Sequence, residues 1–165
     1  MACVSTFICG LVVLAAVALA PPESAHAQTR LGVDVFGLSY HYQSRTYQIA
    51  PGVTRRYEQL NFGLGVDYVV RDDQRVLVST DGGVYRDSKD RGNGFAGVAV
   101  RFRVAPHLLL GGGIVGMTSR TYGTHVAPLP LVTAQWRRVS VSTTLIPALS
   151  RRDSGAIGLF TTMFL

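Results

Sequence analysis

The chain has 165 residues, of which 47% are hydrophobic and only 16% charged, with a formal net charge of +6 and a mean hydropathy of +0.24. A soluble domain carries about 25% charged residues, so this surface has too few charges to be wet all over. The 18 glycines argue against a helical bundle, since each destabilises a helix interior by about 1 kcal/mol relative to Ala, and the apolar content excludes disorder. Both cysteines, Cys3 and Cys9, stand near the start of the chain, which excludes a disulfide scaffold, a zinc–thiolate site and a cysteine nucleophile in the remainder.

Val4 to Ala20 is almost wholly apolar and is followed by Pro21-Pro22-Glu23 and then Ala25-His26-Ala27, a small-x-small cleavage pattern. Residues 1–27 therefore read as a secretory signal peptide. The apolar run is shorter than the roughly 20 residues of a transmembrane helix, and no basic stop-transfer follows it. Its n-region departs from the usual pattern in lacking Lys and Arg. Cleavage before Gln28 removes one acid, Glu23, and no Lys or Arg, which raises the net charge from +6 to +7. Lys89 is the only lysine; every other cation is an arginine.

In residues 28–165 the dominant signal is alternation with period two. Leu60, Phe62, Leu64, Val66, Tyr68 and Val70 lie on one face, with Asn61, Gly63, Gly65 and Asp67 on the other. Ala96, Val98, Val100, Phe102 and Val104 repeat the pattern against Gly97, Ala99, Arg101 and Arg103. Eight such segments are placed near 31–43, 58–70, 75–87, 94–104, 107–119, 127–136, 139–148 and 155–165. Each has about the 9–11 residues that a tilted strand needs to cross a bilayer. Tight connections (71–74, 105–106, 137–138) alternate with longer ones (43–57, 88–93, 120–125, 149–154), as short periplasmic turns alternate with longer external loops in outer-membrane barrels. The last strand is apolar and aromatic to Leu165.

A soluble lipocalin-like barrel or sandwich would show charges outside. Here the polar faces are mostly Gly, Ser, Asn and Thr, which suit the narrow lumen of an eight-stranded barrel. The expected fold is all-β: an eight-stranded antiparallel transmembrane β-barrel in the outer membrane of a Gram-negative bacterium, with the long loops outward.

That topology places His41 at the outer end of strand one, facing inward with Gly37 and Ser39, while Phe36, Leu38, Tyr40 and Tyr42 face lipid. Asp87 and Ser88 lie at the outer end of strand three, so a base, a carboxylate and a hydroxyl meet at one rim. Acyl transfer needs such a set: an imidazole to take a proton, a carboxylate to orient it, and an oxygen to activate. Neighbouring strand residues point to opposite faces, so Asp87 and Ser88 both address His41 only if the strand breaks there. The same pair, before Lys89-Asp90-Arg91-Gly92-Asn93-Gly94, is also ordinary turn chemistry. His107 falls at the other rim and His125 in the third long loop. With neither cysteines nor paired histidines, no metal and no cofactor are expected.

Tyr40-His41, a basic loop, and then Arg56-Tyr57-Glu58-Gln59-Leu60-Asn61-Phe62-Gly63-Leu64-Gly65 resemble the first hairpin of the lipid A palmitoyltransferase (PagP) family. Tyr85-Arg86-Asp87-Ser88 resembles that family's Lys-Asp-Ser segment. Gly116-Met117-Thr118-Ser119-Arg120, Ala127-Pro128-Leu129-Pro130-Leu131 and Thr144-Leu145-Ile146-Pro147 follow in the same order. The likeness spans about residues 38–165. It implies an eight-stranded outer-membrane barrel that moves a palmitoyl chain from a phospholipid to lipid A. It places the catalytic roles on His41, Asp87 and Ser88, and the acyl-chain pocket among Gly63, Gly65, Gly97 and Ala99. Ala99 stands where the family has a glycine at the pocket floor, so the resemblance implies a chain slightly shorter than palmitate. The family's helix before strand one is absent, Gln28-Thr29-Arg30 leading directly into the strand. Its sheet-thinning prolines are replaced by Phe36 and Leu60 beside strands one and two and by Ala134 near strands six and seven, with Pro147 retained.

Three functions stay open on this reading: an acyltransferase acting on lipid A, a non-enzymatic surface barrel binding phosphates or host factors, and a lipid A deacylase using the same rim. Arg45, Arg55, Arg56 and Arg120 of the external loops suit the phosphates of lipopolysaccharide, though arginines on a solvated rim are also ordinary. Expected partners are lipopolysaccharide, phospholipid and the outer membrane, with the protein a monomer. Nucleic acid is not expected, because the basic residues are spread around the barrel with no reading element.

Overall fold

The computed structural model describes residues 29–119, 123–148 and 154–165; the expected signal peptide, Arg120 and residues 149–153 lie outside them. Eight strands close an antiparallel barrel: β1 (Arg30–His41), β4 (Leu60–Asp72), β5 (Val76–Arg86), β6 (Gly92–Ala105), β7 (Leu108–Ser119), β8 (Gly123–Trp136), β9 (Val139–Ile146) and β10 (Ala156–Phe164). Each pairs with its neighbours in sequence around the wall, and closure is made by β1 against β10, from Gly32 opposite Phe164 to His41 opposite Ala156. All eight strands overlap the segments that alternation places, although β8 begins at Gly123 rather than near 127. The long first loop additionally folds into a hairpin, β2 (Thr46–Ala50) and β3 (Val53–Arg56). Its tip is Pro51-Gly52, with Gly52 at φ 76°. Proline followed by a positive-φ glycine makes a tight reversal.

Alternation becomes sidedness. On β4, Leu60, Phe62, Leu64, Val66 and Tyr68 are exposed, while Gly65, Asp67 and Val69 are buried. The exposed residues form the lipid-facing band, with Tyr40 and Tyr42 near the long-loop end and Tyr68, Phe102 and Trp136 near the other, as aromatic girdles flank a membrane barrel. β1 departs from strict period two. Its register shifts between Phe36 and Leu38 in both ladders, a bulge that adds one residue and flips the face. Ser39 and His41 therefore point inward as expected, but Phe36 does too. Its ring packs edge-on against Phe95 at 5.0 Å and over Phe160 at 5.3 Å inside the lumen. The lipid-facing assignment of Phe36 is thereby corrected.

The lumen is filled in layers. At the short-turn end, Val69, Leu77, Leu109 and Phe164 form a buried cluster, flanked by Asp72, which pairs with Arg30 and, at 2.9 Å, with Arg103. Above it lies a polar floor. Arg101 pairs with Asp67 at 3.5 Å and donates to Ser79 Oγ, which in turn donates to Asp67 at 3.1 Å. Thr162 donates to Asp34 at 2.6 Å. Burying a charge is costly unless it is paired, so this floor requires its ion pair. At the β4–β5 turn, Asp73 accepts the amides of Arg75 and Val76, each at 2.8 Å. Burial opposes ionisation of this carboxyl, but those amides and the Arg71 guanidinium outweigh it and hold it below the usual carboxylate range.

Candidate functional site at the long-loop rim

β5 ends at Arg86, and the chain then turns sharply. Asp90 N donates to Asp87 O at 2.9 Å and Asp87 N to Arg91 O at 2.8 Å, with Asp90 in the left-handed region at φ 65°. This is the strand break that lets Ser88 face the lumen. Ser88 Oγ lies 2.8 Å from His41 Nε2, and Glu58 N, donating to Ser88 O at 2.9 Å, fixes its main chain from the neighbouring loop. Asp87 does not join them. Its Oδ1 accepts the amides of Lys89 and Arg91, both at 2.9 Å, so this carboxylate oxygen organises the turn. His41 Nδ1 is buried without a hydrogen-bond partner of good geometry, the main chain of Ser154 lying beside the ring.

Two residues that sequence reasoning passes over complete the cluster. Asn61 Nδ2 donates to Ser39 Oγ at 2.7 Å and to Ser88 Oγ at 2.9 Å. Tyr57 is buried within a loop that is exposed apart from it and the half-buried Tyr47, and it stacks on His41 with centroids 4.0 Å apart. Tyr47 packs on Tyr57 at 4.9 Å, with Lys89 Nζ 5.0 Å from the Tyr47 centroid. Asn61 reads in the sequence as one more polar residue on the inner face of its strand. Tyr57 carries a signal only as a lone aromatic among Arg, Glu and Gln. His125 belongs to β8, not to a loop, and lines the same rim cavity as His41 and Ser88.

That cavity, of about 150 Å³, adjoins one of about 130 Å³ deeper in the lumen. Ser39, Asn61, Tyr85, Met117 and Ile146 line both. The deeper one is walled by Phe36, Phe95, Leu129 and Leu131 and ends at Asp67, Asp81 and Arg101. Of the four residues expected at an acyl pocket, Ala99 lines it, while the other three do not. A Cβ at Gly63 would meet Tyr85 Cβ at 2.5 Å, and one at Gly97 would meet Asp81 Oδ1 and Val115 Cγ2 at 2.8 Å. The space inside Gly65 is taken by Phe95, 3.2 Å from such a Cβ. These glycines admit neighbouring side chains rather than opening the cavity.

Among the described residues the β8–β9 ladder is the short one of the closed wall: it runs from Trp136 opposite Val139 to Leu131 opposite Thr144, although β8 continues to Gly123 and remains fully paired with β7. The unpaired stretch holds Pro128 and Pro130. Residues two apart direct their main-chain groups to the same neighbour, and proline has no N–H to donate. The β9-facing edge is therefore stripped of donors, and Thr144 Oγ1 bonds Pro130 O at 2.9 Å instead. The proline pair of this region is thus Pro128 and Pro130, with Pro147 just beyond β9. Ala134 sits within the ladder opposite Val141, which corrects its assignment to a sheet-thinning position.

Arg45, Arg55 and Arg56 are exposed on and beside the β2–β3 hairpin; Arg120 lies outside the described residues. Among the described residues no three His, Cys, Asp or Glu side chains are grouped so as to hold a metal ion.

No protein-family model matches the chain, and no curated protein matches it in sequence. Two solved structures of the Yersinia pestis outer-membrane protein Ail resemble it. One is a backbone structure in a phospholipid bilayer nanodisc (TM-score 0.46, 13% identity, 84% of this chain and 100% of that one). The other is a crystal structure of this attachment invasion locus protein (TM-score 0.44, 10% identity, 85% and 99%). The likeness is one of barrel fold. With its closed wall and apolar exterior, the chain is a small eight-stranded transmembrane β-barrel of the outer-membrane type.

Proposed function

We propose that the protein is a monomeric acyltransferase that moves a fatty acyl chain from a phospholipid to lipid A at its outward-facing rim. The observation that carries this reading is the 2.8 Å approach of His41 Nε2 to Ser88 Oγ, directly above an apolar cavity sealed below by an ion pair. A hydroxyl paired with an imidazole provides a general base and an oxygen to activate, and an apolar shaft provides a place for the tail. His41 is the base. Asp87 acts through the turn that aims Ser88. The gap at Pro128 and Pro130 supplies a sideways route from the bilayer, and Arg45, Arg55 and Arg56 supply charge for lipid A phosphates. The sequence resemblance to lipid A palmitoyltransferases supports the same substrates.

One observation favours a second reading, a non-enzymatic surface barrel. The β2–β3 hairpin exposes Ile49 and Val53 at its tip beside three arginines, as a partner-binding loop would. Mass spectrometry of lipid A from cells with and without the protein separates these readings. An added acyl chain supports the transferase, no change supports the surface barrel, and a lost chain indicates a deacylase.

A further inference from the structure

Asn61 Nδ2 carries two hydrogens and directs one to Ser39 Oγ and the other to Ser88 Oγ. Ser88 Oγ is therefore an acceptor toward the amide, and its own hydrogen needs another direction. Two acceptors are near: His41 Nε2 at 2.8 Å and Ser39 Oγ at 3.3 Å. His41 Nε2 accepts it in the tautomer that carries the ring proton on Nδ1. A hydroxyl held by a donor and aimed at a neutral imidazole within about 2.6–3.2 Å is the geometry of an activated nucleophile and its base. The deeper cavity begins at Ser39 and Asn61, so a chain lying in it brings its carbonyl carbon to Ser88.

We propose that Ser88 is a covalent nucleophile, that the acyl group passes through an ester on its Oγ, and that Asn61 is a further catalytic residue that holds this oxygen. The proposal rests on the acyl-transfer reading of the site. In the first step Ser88 Oγ attacks the donor's ester carbonyl while His41 Nε2 takes the hydroxyl proton. The bond from the acyl carbon to the glycerol oxygen breaks, and that oxygen leaves with the proton from His41 as a lysophospholipid. In the second step an acceptor hydroxyl gives its proton to His41 and attacks the acyl-Ser88 carbonyl. The Ser88 ester bond breaks, and Ser88 recovers the proton. Asn61 Nδ2–H holds Oγ so that its hydrogen faces His41 Nε2 and its lone pair faces the acyl carbon, an orientation whose loss slows formation of the ester.

The test is intact-mass spectrometry of the folded, detergent-solubilised protein after exposure to a long-chain alkyl fluorophosphonate, which forms a serine–phosphorus bond and expels fluoride. The expected result is a single adduct that peptide mapping places on Ser88 and that Ser88→Ala lacks. His41→Ala and Asn61→Asp should slow labelling at least tenfold, with Asn61→Ser as the second variant if Asn61→Asp does not fold. Absence of an adduct from folded wild-type protein, or labelling of Ser88 that ignores His41→Ala, overturns the proposal. Labelling that is unchanged in both folded Asn61 variants overturns the role of Asn61. Lipid A mass is read separately. An added chain without a Ser88 adduct removes the nucleophile and keeps the transferase, whereas an adduct with unmodified lipid A does the reverse.

Discussion

The imidazole of His41 and the phenol of Tyr57 lie face to face, with centroids 4.0 Å apart and planes 9° apart, although a complete hairpin separates them in the chain. Tyr57 holds the plane of the ring, and Tyr47 backs it. An aromatic pair contributes about 1 kcal/mol beyond its buried area. Tyr57→Leu should therefore lower acyl transfer roughly fivefold while the barrel still folds. Tyr57→Phe should stay near wild type, because the hydroxyl makes only a 3.4 Å contact with Ser154 N. Initial rates of the two variants in detergent check this.

Asp87 gives a sharper discrimination. Where a carboxylate orients a catalytic imidazole, its amide replacement costs about 10⁴ in rate. Here Asp87 Oδ1 instead accepts two main-chain amides, and Asn retains an oxygen for that purpose. Asp87→Asn should stay within about threefold of wild type. Asp87→Ala, which loses hydrogen bonds to a charged acceptor worth about 1.5–3 kcal/mol, should fall by tenfold or more as Ser88 loses its aim. Parallel rate measurements decide between the two roles.

The polar floor should govern stability. Arg101 and Asp67 are almost fully buried, with side chains 3% and 4% exposed. Removing one partner of a buried pair leaves the other uncompensated, at a cost of about 3–5 kcal/mol. Arg101→Met should lower the unfolding midpoint in urea accordingly, and adding Asp67→Asn should restore most of it. Heat-modifiable gel mobility of the single and double variants reads both effects.

Chain length should be set by the same floor. Asn61 and Asp67 are about 20 Å apart along β4 at ~3.3 Å per residue, or roughly 15 Å in depth at a tilt of about 40°, room for roughly a dozen methylenes. Ala99 lines the cavity beside Asp81 and Arg101, and a close-packed interior registers even one methylene. The preferred chain should be shorter than palmitate, and Ala99→Gly should lengthen it. Lipid A masses after expression with donors of mixed length measure the shift; identical selection by both proteins would remove Ala99 from the floor.

These expectations depend unequally on what the sequence discloses. The wall is readable because lipid demands an unbroken apolar face, so Leu60 to Tyr68 announce their side by alternation alone. Phe36 is misread because a bulge at Gly37 inserts one residue, and period-two counting cannot register an insertion. His41 and Ser88 can be paired from topology, since two strand ends must share a rim. The direction of Asp87 cannot, because a carboxylate next to a turn serves main chain or imidazole equally well until the turn is built. Asn61 escapes notice for a related reason: only the closed barrel brings it between Ser39 and Ser88. Pro128 and Pro130 read as strand residues because β7 pairs with them fully, and only the missing ladder to β9 gives them meaning.

Acyl transfer to lipid A at the proposed His41–Ser88 rim is read from the mass of lipid A from cells expressing wild-type protein or His41→Ala, each confirmed as folded in the outer membrane. The expected result is a gain of one acyl chain with wild type and none with His41→Ala. Unchanged lipid A with folded wild type, or the same gain with His41→Ala, would contradict it.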